Sequence, residues 1–370
     1  MSLSPAVLRS LPTVALHDHL DGGLRPATVL ELSREQGLTP PGSSAEEVAR
    51  WFHDAADSGS LPAYLETFER TVALLQTAPA LRRVAREFVE DMVADGVVCA
   101  ETRWAPHQHT AGGLTLDQAV QAVQDGLDEG VAAAREAGAP IVVGQLLCHL
   151  RHLEPTDDLV EIALARRGTG VVGLDLAGPE AGFPAERFRA QFERARAEGL
   201  HVTIHAGEAD GPSSIASALD CGAERIGHGV RLLEDVRGQE LGPVAARVLR
   251  EQACLEVCPS SNLQTGAAAG ATSTGTDAEH SPSAALLAGH PVLRLQELGL
   301  PLAISSDNRL MSRTSTSREL ALAAEAGGWT LEEVEAVVLT GLAASFIPEA
   351  ERTALRDEVV LPAFRAARGA

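Results

Sequence analysis

The sequence contains no lysine; all 30 basic side chains are arginine. That absence excludes Schiff-base catalysis, a P-loop lysine and a carboxylated-lysine bridge between two metals. Aromatic residues are scarce, at 3%. Cysteine is sparse too, and Cys99, Cys148, Cys221, Cys254 and Cys258 form an odd, scattered set without a CxxC pair. Such a set reads as reduced thiols in a cytoplasmic protein rather than a disulfide frame. No apolar run approaches the ~18–20 residues of a membrane span. The stretch Met1–Leu16, interrupted by Pro5, Arg9 and Pro12, lacks the basic-then-apolar layout of a signal peptide. Acidic residues outnumber basic ones 51 to 30. That surface repels phosphate backbones, so nucleic acid is not an expected partner.

What is present describes a soluble globular chain of 370 residues, 45% hydrophobic, long enough to bury one large core as a single domain over 1–370. Eight short, strand-like apolar runs recur: Thr13–His17, Val97–Trp104, Ile141–His149, Gly170–Gly178, His201–Glu208, Arg225–Val230, Cys254–Asn262 and Pro301–Asn308. Helix-period stretches such as Pro184–Glu198, Ser213–Cys221 and Val244–Gln252 lie between the later ones. This α/β alternation predicts a parallel (β/α)8 TIM barrel, with a doubly wound open sheet as the alternative. No GxGxxG opens an early helix, which disfavours the open sheet.

Two segments depart from the rhythm. Roughly 80 residues separate the first two strands, more than one crossover requires. Leu30–Gly37, Ala45–Ala56, Leu61–Gln76 and Pro79–Asp95 read as helices there. The segment from about 25 to 95 is thus expected as a helical lid over the barrel mouth, with Trp51, Phe52, Tyr64 and Phe68 as candidate apolar lining. The Gly/Ala/Ser/Thr-rich stretch 266–283 is expected to be a flexible loop without chemistry of its own.

The distinctive polar residues fall at the carboxyl ends of the expected strands, where barrel enzymes build their sites. His17 and His19 stand two residues apart at the end of the first run. In an extended segment both project from one face while Asp18 projects from the other; a helix would set them about 200° apart. The fifth run ends His205-Ala206-Gly207-Glu208, the sixth carries Gly227-His228-Gly229, and the eighth ends Ser305-Ser306-Asp307-Asn308. Three imidazoles (His17, His19, His205) and one carboxylate (Asp307) make an N3O donor set that suits one Zn2+ and leaves room for a water. Such a water is acidified toward neutrality. Glu208 and His228 remain as acid–base groups beside it.

These residues carry a resemblance. "LHDHLDGGLRP", "GLDLAGPE", "HAGE", "RIGHG", "LEVCPSSNLQTG" and "SSDN" follow in order across nearly the whole chain, and the set resembles the adenosine deaminase family of metal-dependent barrels. The resemblance implies that His17, His19, His205 and Asp307 bind zinc, and that Glu208 handles the proton at purine N1. It implies that His228 orients or deprotonates the attacking water, that Asp21 sits at the ribose, and that the Gly178 backbone approaches purine N3. The implied reaction adds water at C6 of adenosine, and of 2′-deoxyadenosine, giving inosine and ammonia. The implied partner is a small purine nucleoside.

One position departs from the commonest family pattern, in which two adjacent aspartates end strand eight. Here the pair is Asp307-Asn308. The second position is expected to meet purine N7, an acceptor, and an amide NH2 donates to it at any pH. The alternatives within the family are deaminases of adenine or of a 5′-modified adenosine. A two-metal amidohydrolase is a further alternative, for which the fourth run offers Asp175 but no lysine. The cytidine-type zinc deaminases carry H-x-E followed by P-C-x-x-C, and no PCxxC occurs here.

Overall fold

The computed structural model describes residues 3–268 and 287–369. Eight parallel strands follow one another around a barrel in chain order. They are β1 (Thr13–His19), β2 (Val97–Trp104), β3 (Val142–Leu150), β4 (Val171–Ala177), β5 (His201–Ala206), β6 (Arg225–His228), β7 (Cys254–Val257) and β8 (Leu302–Ile304). The expected (β/α)8 architecture is therefore the observed one. Closure between the last strand and the first is made at the carboxyl end. There Asp307 forms a parallel bridge to Asp18. The His19 N–H donates to the Asp307 carbonyl at 2.8 Å, and the Asp307 N–H donates to the His17 carbonyl at 2.9 Å. This seam brings the two ends of the sequence pattern into one place.

Strand alternation sorts the side chains into an outer apolar layer and an inner polar one. On β5, Val202 and Ile204 join the hydrophobic core, whereas His205 bonds to a carboxylate of the adjacent β4 and Thr203 to one of β7, two strands away. The barrel interior below the site is ionic. Glu101, Arg103, Asp175, Arg225 and Glu256 are all buried, where barrels usually stack branched aliphatic residues.

The helices between β1 and β2 are Pro26–Glu35, Ala45–Ala56, Leu61–Leu65, Phe68–Leu74 and Ala78–Ala94. Leu61–Gln76, read from sequence as one helix, is thus two. Thr67 turns its hydroxyl onto the Tyr64 carbonyl at 2.7 Å, the local competition that interrupts a helix. The run Cys254–Asn262 also divides. The strand stops at Val257, and Pro259, which has no N–H to give a ladder, opens a helix over Pro259–Gln264. Most of the stretch 266–283 lies outside the described residues. Among the described residues, no helix is long and apolar enough to cross a membrane.

Candidate active site

His17, His19, His205 and Asp307 meet at the carboxyl mouth of the barrel. His19 Nε2 lies 3.2 Å from His205 Nε2 and 3.4 Å from Asp307 Oδ1, which is itself 3.5 Å from His17 Nε2. Neighbouring ligands of one tetrahedral ion with bonds of ~2.0–2.1 Å stand about 3.3 Å apart. His17 Nε2 is buried without a hydrogen-bond partner, an orphaned lone pair of the kind a metal takes up.

The opposite ring nitrogens explain why these lone pairs face one point. His17 Nδ1 is 2.9 Å from Glu256 Oε2 and His205 Nδ1 is 3.1 Å from Asp175 Oδ1. A carboxylate at Nδ1 keeps the proton there and frees Nε2, the usual support of a metal-binding imidazole. A single guanidinium holds both supports: Arg103 donates to Asp175 Oδ2 at 3.1 Å and to Glu256 Oε2 at 2.6 Å. Burial opposes ionisation of Glu256, but Arg103 and Arg225 outweigh it and keep the carboxyl well below its ordinary range. Burial drives His19 down to about 3 and also lowers His205, so both offer neutral lone pairs. Burial opposes ionisation of Asp307, yet the adjacent His17 imidazole and those of His19 and His228 hold its carboxyl well below the ordinary range. The donor set fits a divalent metal ion.

Glu208 and His228 stand beside this centre, with His228 Nε2 3.6 Å from Glu208 Oε2. Burial raises the Glu208 carboxyl well above its ordinary value, and the charges of Asp307 and Glu180 add to the effect. Burial holds His228 neutral, well below its ordinary value. Asn262 Nδ2 donates to His228 Nδ1 at 3.0 Å, which leaves the imidazole proton on Nε2. Both His228 (φ 64°) and Asp307 (φ 59°) adopt left-handed backbone, a strain of about 1–3 kcal/mol each that concentrates at functional sites.

Above the centre lies a cavity of about 390 Å3, whose lining includes His19, His205, Glu208, His228 and Asp307. Asp21, Gly178 and Asn308 line it as well, so every site residue read from the sequence except fully buried His17 reaches this space. Asp21 Oδ1 and Asn308 Oδ1 are buried without partners. From the helical segment, Leu61, Tyr64 and Phe68 form part of the wall. Trp51 and Phe52, the other candidate lid aromatics, do not. Phe52 is wholly buried in the core, and Trp51 packs edge-on to it under the Arg70 guanidinium.

The adenosine deaminase family profile matches residues 12–362. The chain belongs to the adenosine deaminase family. Adenosine deaminase 1 of Streptomyces coelicolor is 46% identical over 98% of this chain and 89% of its own length. Among solved structures, an adenine deaminase from Arthrobacter aurescens superimposes with a TM-score of 0.78 at 26% identity, covering 94% of this chain and 98% of that one. An N6-methyl-AMP deaminase from Arabidopsis thaliana does so with a TM-score of 0.77 at 26% identity, covering 98% of each.

Sequence reading named neither Glu256, Arg103 nor Asn262 as parts of the site. The signal was there for the first two. A charged residue in the middle of an apolar strand run is almost never fully buried unless paired, and both sit in such runs.

Proposed function

We infer that this site deaminates adenosine hydrolytically, replacing the 6-amino group with oxygen and releasing ammonia to leave inosine; 2′-deoxyadenosine is a second substrate. The chain is a hydrolase acting on the C–N bond of a 6-aminopurine. The observation that carries the reading is the meeting of His17, His19, His205 and Asp307 beside a buried Glu208, whose carboxyl burial raises well above its ordinary value. Those four residues would hold one Zn2+ per chain, which would supply an acidified water and Lewis-acid polarisation.

The chain's own residues do the rest. Attack at C6 moves electron density onto N1, and protonated Glu208 delivers a proton there as C6 becomes tetrahedral. Of the two protons the water brings, one passes to the 6-amino group, which leaves as ammonia as the C6–N6 bond breaks and the C6 carbonyl forms, and the other returns to Glu208. His228, its proton on Nε2, donates to the attacking oxygen and holds it on line. Asp307 accepts a hydrogen bond from the same water. Asp21, with a free carboxylate oxygen at the cavity, takes the ribose hydroxyls. The Gly178 backbone faces purine N3, and Asn308 donates to N7. The segment 25–95 serves as the lid of a single domain, closing water away from the ring.

A two-metal mechanism is disfavoured because Asp175, its candidate ligand, is committed to His205 Nδ1 and Arg103. A nucleoside is favoured over a nucleotide because the cavity lining carries Asp21, Glu66 and Glu69 and, among the described residues, no arginine. The test is loss of the adenosine absorbance band on adding zinc-loaded protein, abolished by chelator and restored by zinc. Turnover of adenine but not adenosine would replace this reading with the free-base alternative.

A further inference from the structure

We propose that Glu180 is a positioning residue that sets the register of Glu208 by gripping the backbone of its loop; this rests on the reading of Glu208 as the proton-transfer group. β4 ends at Ala177, and Gly178-Pro179-Glu180 follow it over the barrel mouth. The Glu180 side chain is buried. Its Oε1 accepts the Gly207 N–H at 2.7 Å, and its Oε2 accepts those of Glu208 at 3.0 Å, Ala209 at 2.6 Å and Asp210 at 3.0 Å.

Four successive N–H groups converging on one anion form a nest, the arrangement proteins otherwise use to hold phosphate. Here the anion is the chain's own carboxylate. The demand is quantitative: these residues follow β5 and belong to no helix or strand, so the four donors need acceptors from elsewhere. A carboxylate offers about four lone-pair sites on two oxygens, whereas an amide offers two and turns an NH2 toward donors. Gly207 makes the turn that starts the nest, at φ +72°, where a Cβ would come 2.5 Å from Ile215 Cδ1. From the other side Arg231 donates to the Ala209 carbonyl at 2.8 Å.

The consequence reaches the substrate cavity. Gly178, two residues before Glu180, lines that cavity together with Glu208. One short segment therefore presents backbone to the ligand and fixes the loop that carries the proton donor. A displacement of about 1 Å at a reacting group costs ~10²-fold in rate.

The test is Glu180→Gln, which keeps size and removes the charge, read by three measurements. Backbone hydrogen exchange should quicken at 207–210 while the barrel strands keep their protection. With zinc content unchanged, kcat for adenosine should fall by ~10²-fold with KM changed far less. In a Glu208→Gln background the same substitution should add little, because its effect passes through Glu208. Should the Gln variant fail to fold, Glu180→Asp, one methylene short of the four donors, is read by the same three measurements. Unchanged exchange at 207–210, or a rate loss that multiplies in full with Glu208→Gln, overturns the proposal. Quickened exchange in a protein whose wild type does not turn over adenosine would instead overturn the deaminase reading and leave the grip standing.

Discussion

His17 and Asp307 are joined through both backbone and side chain: the Asp307 N–H donates to the His17 carbonyl at 2.9 Å, while His17 Nε2 lies 3.5 Å from Asp307 Oδ1. The barrel seam and the metal-capable centre are thus the same few atoms. Replacing the side chain alone separates the two roles. Asn tolerates the left-handed backbone at this position, so Asp307→Asn should keep the bridge and the fold. It should lose stoichiometric zinc on dialysis and at least ~10²-fold in kcat, in keeping with loss of a directly coordinating group. Full zinc content after dialysis would remove Asp307 from the donor set.

Glu208 makes a prediction in which activity and stability move in opposite directions. Burial raises its carboxyl well above the ordinary 4.5, so the folded state binds the proton more tightly than the unfolded one. The stabilisation from that proton is complete below the unfolded value and is lost as pH rises through the folded one. Glu208→Gln carries no such proton. Its melting temperature should approach wild type in acid and exceed it increasingly toward alkaline pH. Its activity should be low throughout, by about 10²–10⁴-fold. Parallel melting curves against pH would show that Glu208 is ionised in the folded protein.

The legible part of this site was the part made of residues that stand out where they sit. His17-x-His19, His205 and Asp307 are polar groups at the ends of apolar runs, and period-two alternation fixes their face. The supports were harder to see because they lie within the strands. Arg103 and Glu256 need each other, and their pairing is created by barrel closure between strands far apart in sequence. Strand ends were blurred for a local reason: Val257 gives way to Pro259, a residue compatible with the apolar pattern but not with the ladder. The aromatics between the first two strands show the limit of composition. Of the four candidate rings Trp51, Phe52, Tyr64 and Phe68, only Tyr64 and Phe68 line the cavity, because which side of a helix faces inward depends on partners that spacing does not name.

Arg103 is the shared anchor of the two carboxylates behind His17 and His205. Arg103→Leu leaves Asp175 and Glu256 buried with that cation gone, a change that costs about 3–5 kcal/mol when a buried pair is broken. Zinc affinity should fall by about 10–100-fold, the usual effect of losing an outer-layer partner. Arg103→Lys should recover stability in part but little affinity, since an ammonium lacks the planar fork that reaches both carboxylates. Chelator competition and thermal melts separate the two effects. Unchanged zinc affinity in both variants would reduce Arg103 to a core ion pair.

Asn308 bears on how the purine is read. Its amide donates whatever the pH, so if it meets N7, 7-deaza-adenosine should be turned over ~10-fold or more less efficiently than adenosine, for one hydrogen bond of about 0.5–1.5 kcal/mol or more in a dry site. Equal efficiency would mean that N7 goes unrecognised at this position.

The cavity mouth predicts which purines are refused. Exposed Glu66 and Glu69 and buried Asp21 all line the cavity, and the described lining contains no guanidinium. A 5′-phosphate entering there would approach carboxylates rather than cations. Two unit charges 4 Å apart repel by about 1 kcal/mol in water and about 4 kcal/mol at the effective dielectric of a protein surface. AMP should therefore show a kcat/KM at least ~10²-fold below that of adenosine, with the gap narrowing as salt screens the mouth. Glu66→Arg combined with Glu69→Arg should raise turnover of AMP relative to adenosine while leaving zinc content unchanged, because neither residue belongs to the metal-capable donor set. If the double variant leaves the AMP-to-adenosine ratio where it was, selection against the phosphate is steric and lies deeper, between Asp21 and the Tyr64 wall.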